Sequence, residues 1–518
     1  MDLSFSKWRS LTRIVGITIT TTILIFAIVG IASSESSKFI WALVFNYLVS
    51  VVLSLRIINS HRRSDLFVVL YLFSFLLVPF ISPFVYFLLG FDSVHIQNNP
   101  KYLKILQKYK NYSRYIENKK IKNLSHLSHK VFFYNLIKHD ANICGNSKIT
   151  LLSTPIEILQ EITSLIKKAK QFIHLEFYIF GDGLVSDHIL DLLRKKTEEG
   201  VEVRLMVDYH GSFRRLSSKT RKKIKKYGIE LRIFNHFFRF DSLWWQYRNH
   251  NKIIVVDNKY AFCGSSNIAD EYFNITQFYF QTTELGVIVE GTVVNSINAL
   301  FCSHWEMCCI KPVKGDPLML DGLNYFRESN ISENTNTVIQ VLNASPLSPE
   351  LIIKDNLVQL VSNAKKSILI STPYFYPPKD LINALKQASV SGVSIKILVP
   401  KQTDFRNFFR SLNRQLFTSL IPENIEIYEY FGFNHEKIMI VDDETTYFGS
   451  YNWDYRALYL NFENALLVKC KKFTSLITKF VENQFKNSHK IVLSDLKKMK
   501  SFVAFSHGVF IRIFKPFL

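Results

Sequence analysis

The sequence predicts an α/β protein made of two tandem halves of alternating strands and helices, preceded by N-terminal transmembrane helices. Three observations predict it. The first ninety residues hold three uncharged apolar stretches. From about residue 149 short apolar strands alternate with amphipathic helices. The order of those segments then repeats: "AKQFIHLEFYIF" from Ala169 is echoed by "AKKSILISTPYF" from Ala364 at an offset of 195, and "GVEVRLMV" from Gly200 by "GVSIKILV" from Gly392 at an offset of 192. A small, drifting offset is what duplicated domains with altered loops leave behind.

The hydrophobic region comes first. "IVGITITTTILIFAIVGIA" (14–32) has no charge and is long enough for a bilayer core of about 30 Å. "FIWALVFNYLVSVVLSL" (39–55) is at the short end of that range, and "LFVVLYLFSFLLVPFISPFVYFLLG" (66–90) is interrupted by Pro79 and Pro83. A cleaved signal peptide fits the first stretch poorly, because its apolar run exceeds the usual length of about 7–15 residues and two more follow. Residues 1–91 therefore read as a membrane anchor with two or three hydrophobic segments. Lys7, Arg9 and Arg13 place the N-terminus inside, as do Arg56, Arg62 and Arg63 for the second connection. The basic connecting segment 92–148, with Lys101, Lys104, Lys108, Lys110 and Arg114, also argues for the inside. Simple alternation of three spans would instead export everything after Gly90; a hairpin broken at Pro79–Pro83, entering and leaving on one face, would remove that conflict and put the catalytic body on the cytoplasmic face.

Composition limits the partners. At 518 residues the chain has room for about three domains. Its 64 Lys+Arg against 43 Asp+Glu leave a formal charge of +21, which favours nucleic acid, acidic lipid head groups or phosphorylated substrates. Cys144, Cys263, Cys302, Cys308, Cys309 and Cys470 are too sparse for a disulfide framework and show no CxxC zinc spacing, so they read as reduced.

The two halves occupy 149–335 and 336–490. In the first, "TPIE" (154–157) opens a helix with a capping box, and Ile158, Leu159, Ile162, Leu165 and Ile166 form its apolar stripe. "FIHLEFYIF" (172–180) and "VEVRLMVDY" (201–209) read as strands, and strands alternating with helices imply mainly parallel sheet. Residues 491–518 form a basic amphipathic C-terminal segment, suited either to the membrane interface or to docking as a last helix.

Chemistry enters through a pattern that occurs twice. "HNKIIVVD" (250–257) and "HEKIMIVD" (435–442) lie 185 positions apart. Residues i and i+2 of a strand face the same way, so His250 and Lys252 share a face, as do His435 and Lys437. The apolar runs that follow suit strands covered on both faces, and Asp257 and Asp442 end them. "GSSN" (264–267) and "GSYN" (449–452) each place an asparagine seventeen residues after the histidine. Their glycines permit close backbone approach, while Ser265, Ser450, Asn267 and Asn452 offer hydrogen bonds to an oxyanion. One H-x-K on a strand is a chance event; two copies sharing the downstream register are not.

These stretches, with "NIADEY", "HLEFYIF", "TPYF", "GSYNWDYRALYLNFE" and the closing "FKPFL", resemble the phospholipase D superfamily and, within it, the bacterial cardiolipin synthases. The likeness covers most of the chain and implies two tandem phospholipase D-like domains in a pseudo-twofold α-β-α body. There are departures. Ser265-Ser266 stands where a second glycine is common, "NWDYRA" replaces the more usual Asn-Leu-Asp-x-Arg-Ser, and 14–32 is an extra hydrophobic segment.

The resemblance implies phosphatidyl transfer between two phosphatidylglycerol molecules, giving cardiolipin and glycerol through a phosphohistidine, without metal or cofactor. The HKD residues His250, Lys252, Asp257, His435, Lys437 and Asp442 make up the catalytic set. His250 is assigned as nucleophile and His435 as general acid and then base, although the sequence does not distinguish this from the reverse. Lys252, Lys437, Asn267 and Asn452 would hold phosphoryl oxygens, with Ser265 and Ser450 also binding substrate. Glu284 and Glu463 would orient the imidazoles. Asp257 and Asp442, though motif members, suit fixing local structure. The implied partners are anionic phospholipids and the bacterial cell membrane, with no nucleic acid and an undetermined oligomeric state. The aromatic stretch 234–250 suits an acyl-chain entrance or core packing. A lipid hydrolase, a nuclease of the same superfamily and a non-catalytic scaffold are the rival readings.

Overall fold

The computed structural model describes residues 2–33, 36–58, 65–87, 100–117, 130–145, 147–235, 247–276, 278, 281–308, 322–327, 337–348, 350–401 and 407–496. The aromatic stretch expected to flank the first motif, 236–246, and the C-terminal segment beyond 496 lie outside them. The chain forms two compact units, one made from the N-terminal helices and one from residue 100 onward.

The N-terminal unit contains α1 (Asp2–Ala32), α2 (Ser36–Ile58), α3 (Asp65–Leu77) and α4 (Ser82–Val85). Among the described residues one helix, Ser37–Ile58, is long and apolar enough to cross a membrane, and the apolar part of α1, Val15–Ile31, is shorter. The third stretch is divided where its prolines stand, with α3 ending at Leu77 and α4 starting beside Pro83. Proline lacks the amide hydrogen that the helix interior requires. Asn46 of α2 compensates by donating its side-chain N–H to the Pro79 carbonyl. Tyr71, Phe75, Tyr86 and Phe87 pack edge to face beside Leu53 and Ile57, joining α2 to both pieces.

The second unit is a duplication. After α5 (Pro100–Glu117), α6 (Lys130–His139) and β1 (Ile143–Cys144), its first half runs β2 (Lys148–Leu152), α7 (Pro155–Lys168), β3 (Phe172–Phe177), α8 (Leu184–Glu198), β4 (Glu202–Asp208), α9 (Tyr209–Ser212), α10 (Ser218–Lys226) and β5 (Glu230–Phe234). It continues through β6 (Arg248–Asn249), β7 (Lys252–Val256), β8 (Tyr260–Gly264), β9 (Thr282–Thr283), β10 (Gly286–Glu290) and α11 (Val293–Met307). The second half has β11 (Val338–Ala344), α12 (Ile352–Asn363), β12 (Ser367–Ser371), β13 (Phe375–Tyr376), α13 (Lys379–Val390), β14 (Ser394–Pro400), α14 (Asn407–Leu420) and β15 (Ile425–Tyr430). It closes with β16 (Phe433–Asn434), β17 (Ile438–Val441), β18 (Thr445–Gly449), β19 (Trp453–Asp454), β20 (Asn461–Lys469), α15 (Lys471–Lys486) and β21 (Ser488–Lys490).

The first sheet has the order β2-β10-β8-β7-β3-β4-β5, and the second repeats it as β11-β20-β18-β17-β12-β14-β15, with β1 and β21 added at its edges. Helices on the faces bury a separate apolar core in each half, around Ile162, Ile173 and Phe262 in one and Leu357, Ile370 and Tyr447 in the other.

The mainly parallel sheet expected from the sequence is corrected here. Only β3-β4-β5 and β12-β14-β15 pair in parallel; the remaining neighbours along these two paths are antiparallel. The reason is connection length. A crossover helix separates β3 from β4, whereas Asp257–Lys259 alone joins β7 to β8, and so short a turn permits only a hairpin. Asp257 and Asn258 take positive φ of 52° and 49° in that turn, matched by 54° and 56° at Asp442 and Asp443. Asp and Asn tolerate that region better than other side chains.

Candidate active site

The helix start at Thr154 is capped as expected, although the Glu157 carboxylate reaches back one residue further, to the Ser153 amide at 2.7 Å. The Thr154 hydroxyl accepts from the Glu157 amide at 3.2 Å, and Ile158, Ile162, Leu165 and Ile166 are buried. It fixes the helix that covers the first sheet, and β7 lies in that sheet beside β3. His250 stands in the short link between β6 and β7, and His435 occupies the matching place between β16 and β17.

Two small parallel ladders, formed between the halves, bring these links together. β6 pairs with the start of β20, and the His250 amide donates to the Phe462 carbonyl at 2.9 Å. β9 pairs with β16, and the His435 amide donates to the Thr283 carbonyl at 2.9 Å. The consequence is an exchange. His250 of the first half points Nδ1 at Glu463 of the second, 3.0 Å from Oε1 and 3.1 Å from Oε2. His435 of the second half has Nδ1 2.7 Å from Oε1 of Glu284 of the first. Each half supplies the carboxylate that orients the other half's imidazole. With Nδ1–H donating to an anion, Nε2 of each ring keeps its lone pair for chemistry.

The lysines join the same pocket. Nζ of Lys252 donates to its own histidine's carbonyl at 2.5 Å, and Nζ of Lys437 makes the corresponding bond to the His435 carbonyl. Lys252 also lies 5.5 Å above the Tyr178 ring, which meets His250 edge-on at 4.9 Å; Tyr272 takes a similar position 5.1 Å from His435. All four motif side chains are buried, and burial shifts the ionisation of three of them and of a neighbouring carboxylate. It lowers His250 to about 4, Lys252 to about 7 and Lys437 to about 8, and it raises Glu284 to about 7. The opposite charges partly offset these shifts, Glu463 acting on His250 and Lys252, and Glu284 on Lys437.

Four residues expected in the site are held elsewhere or otherwise. Asp257 accepts the amides of Lys170, Gln171 and Phe172 at 2.8–2.9 Å, and Asp442 accepts those of Lys365, Lys366 and Ser367 at 2.6–3.0 Å. They cap the turn at the far end of β7 and β17, about 16 Å along the strand from the lysines. That placement removes them from the catalytic set. Ser265 and Ser450 are corrected too. Their hydroxyls donate to Glu284 and Glu463, the second at 2.5 Å, and accept the amides of Leu285 and Asn464 at 3.0 Å, so they fix the orienting carboxylates and leave the phosphoryl oxygens to other groups. Asn267 gives its Oδ1 to the Ile179 amide at 3.2 Å, while the Asn452 Oδ1 is buried without a hydrogen-bond partner. The glycines before these serines have the expected purpose: a Cβ on Gly449 would collide with the Asn464 carbonyl.

Sequence reasoning missed a further carboxylate behind each histidine. In the first half Glu176 of β3 binds Asn249 and Asn251, the latter at 3.3 Å, and His304 at 2.7 Å. In the second half the matching position of β12 is Ser371, and the acid sits instead at the middle of the motif, as Glu436. Glu436 accepts from Ser371 at 2.6 Å and from Thr283, next to Glu284, at 2.9 Å. Burial raises its pKa. The carboxylate has moved one strand sideways while its task, tying the motif loop to its surroundings, is kept. An acid inside an otherwise apolar strand, and an acid at the centre of one H-x-K only, were the available signals.

Comparison with known proteins identifies the family. A family model described as "Cardiolipin synthase, PLD-like domain" matches residues 162–305 and 357–486. A protein named cardiolipin synthase from Clostridium perfringens (strain SM101 / Type A) is 30% identical over 452 residues, covering 85% of this chain and 92% of that one. Another so named, from Halalkalibacterium halodurans, is 32% identical over 358 residues, 68% of this chain and 69% of that one. Among solved structures, the phosphatidylserine synthase of Haemophilus influenzae Rd KW20 superposes with a TM-score of 0.58 over 75% of this chain and all of that one, at 16% identity, which speaks to fold alone.

Proposed function

Because the chain belongs to the cardiolipin synthase family of phospholipase D-like proteins, we infer that it is a phosphatidyltransferase joining two phosphatidylglycerol molecules into cardiolipin and glycerol. The observation that carries the reading is the crossed pair of imidazole–carboxylate contacts, in which each histidine meets a carboxylate of the other half; this supports a shared role for the two rings.

In the first step Nε2 of His250, neutral because burial holds it near 4, attacks phosphorus. A P–N bond forms, the P–O bond to glycerol breaks, and His435 gives its proton to the departing oxygen. In the second step His435 takes the proton from the primary hydroxyl of a second phosphatidylglycerol, whose oxygen displaces His250. Lys252 and Lys437 face the equatorial oxygens, where each fixed charge is worth roughly 3–4 kcal/mol of barrier. Ser265 and Ser450 hold Glu284 and Glu463, and Asp257 and Asp442 brace the strands. Residues 1–91 serve as the membrane anchor, the first two hydrophobic segments spanning and the third returning as a hairpin. The +21 charge draws the catalytic body toward anionic lipid on the cytoplasmic face.

Incubating the purified full chain with phosphatidylglycerol, followed by mass spectrometry, tests this. Cardiolipin and glycerol are expected, and both are lost in His250→Ala and His435→Ala. Phosphatidic acid as sole product would make the protein a hydrolase.

A further inference from the structure

The first half of the catalytic unit is polarised along its strands in a way that its fold does not require. Among its described residues from 148 to 308, the large apolar side chains that stand exposed are Ile156, Leu184, Phe213, Ile275 and Phe278, at 68%, 67%, 49%, 44% and 65% of full exposure. Single exposed apolar residues are ordinary. These five, however, share one end of the sheet. Ile156 begins α7, just after the end of β2 that pairs with Gly286, two residues from Glu284. Phe213 follows β4, whose last residue Asp208 accepts the Asn249 amide next to His250. Ile275 and Phe278 follow Tyr272, which packs on His435.

Hydrogen bonds tie the segments that carry Leu184, Phe213 and Ile275 to one another. The Asp182 amide donates to the Arg215 carbonyl at 2.8 Å, the Leu184 amide to the Asp270 carboxylate at 3.0 Å, and the Ile275 amide to the Asp270 carbonyl at 3.1 Å. The opposite end is the reverse in character. There Lys167, Lys168, Lys170, Lys196 and Lys259 line an open cleft of about 640 Å³, with no exposed large apolar residue among those described. The second half, built on the same strand order, does not share the contrast: Val390 is 74% exposed at the far end of α13.

We propose that the rim formed by Ile156, Leu184, Phe213, Ile275 and Phe278 docks on the surface of a phospholipid bilayer, seating the mouth of the site against the lipid. An apolar rim beside exposed Arg214 suits an interface that is greasy below the head groups and anionic at them. The same chain carries a membrane-length helix, so a bilayer is always within its reach. The proposal rests on the phospholipid reading of the site, since that reading explains why the apolar end and the reacting end coincide.

The test uses the full chain in proteoliposomes of phosphatidylglycerol and phosphatidylcholine, with or without brominated acyl chains. An environment-sensitive fluorophore is attached at Phe278→Cys or, at the far end, at Lys259→Cys; the unsubstituted chain gives the background. Quenching at 278 and none at 259 is expected. In parallel, Phe213→Ser/Phe278→Ser should lose about tenfold in turnover of bilayer phosphatidylglycerol while keeping its rate on a short-chain, monomeric analogue. No quenching at 278, equal quenching at 259, or equal loss on both substrates overturns the proposal. If the unsubstituted chain makes no cardiolipin from either substrate, the assigned reaction fails, and the quenching still decides the docking.

Discussion

Replacing Glu463 by glutamine leaves a side chain of the same shape beside His250 but removes its charge. In the proposed mechanism the charge matters when the imidazole becomes cationic as it bonds to phosphorus. The contact of 3.0 Å places the two charge centres about 4 Å apart, and at an effective dielectric of about 20 their attraction is about 4 kcal/mol. Losing it should slow the attack about a thousandfold. Glu284→Gln should remove a similar amount from His435, whose task is to deliver and recover a proton. A substrate with a nitrophenolate leaving group separates the two, because such a group departs without a general acid. Stopped-flow measurement of the first turnover should therefore find Glu284→Gln and His435→Ala close to the unsubstituted rate, and Glu463→Gln and His250→Ala still defective. Exchange of both pairs together would reassign the nucleophile to His435 and keep the crossed contacts. If His250→Ala instead behaves like Glu284→Gln, each acid serves its own half and the reasoning fails.

Three other outcomes are expected. Asp442→Ala should lower stability by about 2–4 kcal/mol in denaturant or thermal unfolding, since it strands the amides of Lys365, Lys366 and Ser367, while kcat at low temperature stays within about threefold. The pH profile of kcat/KM, which reports the free enzyme, should be a narrow bell. Protonation of Glu284 at about 7 weakens it on the acid side, and discharge of Lys252 at about 7 and Lys437 at about 8 weakens it on the alkaline side; in Glu284→Gln the acid limb should move down toward about 4, where His250 titrates. Glu436→Ala should cost about 10–100-fold in kcat with KM little changed, and adding Ser371→Glu, which restores the first-half arrangement, should recover most of it in steady-state assays.

How far the sequence reached depended on whether a feature was local. The strands behind the two H-x-K stretches and the helix start at Thr154 are set by neighbours a few residues away and stand where their patterns implied, whereas His250, His435 and Lys437 lie in the links before those strands and not on them. The hydrophobic stretch at 66–90 likewise showed its own break through Pro79 and Pro83. Partners distant in the chain were not legible. Nothing in "NFEN" says that Glu463 lies on His250, 213 positions earlier, because that contact depends on β20 meeting β6. The partners of Ser265 and Ser450 were hidden for a similar reason: a hydroxyl in a tight turn beside a catalytic motif can serve a ligand or a carboxylate, and only the fold shows Glu284 and Glu463 within reach. The sheet was taken as parallel because alternation alone does not register that a three-residue turn forces a hairpin.

The crossing has a consequence for the proton inventory. With Lys252 and Lys437 as ammonium and Glu284 and Glu463 as carboxylate, the four buried charges of the seam cancel, and the unoccupied pair of imidazoles has no net field holding an extra proton. A phosphodiester brings one negative charge into the same low-dielectric space, where an unbalanced charge is costly. The group placed to answer it is an imidazole, and a proton on His435 is what the departing glycerol oxygen needs. Under the proposed mechanism substrate would charge the acid that cleaves it, and after the first step the glycerol would leave neutral while the imidazolium balances the phosphoryl group bound to it, so that His435 would be free to act as base. Neither half alone has this balance, since each would keep its own lysine and histidine without the carboxylate that positions the ring. The crossed contacts tie each motif to the other half's carboxylate, which is what the proposed reaction needs if the two motifs are to act as one centre.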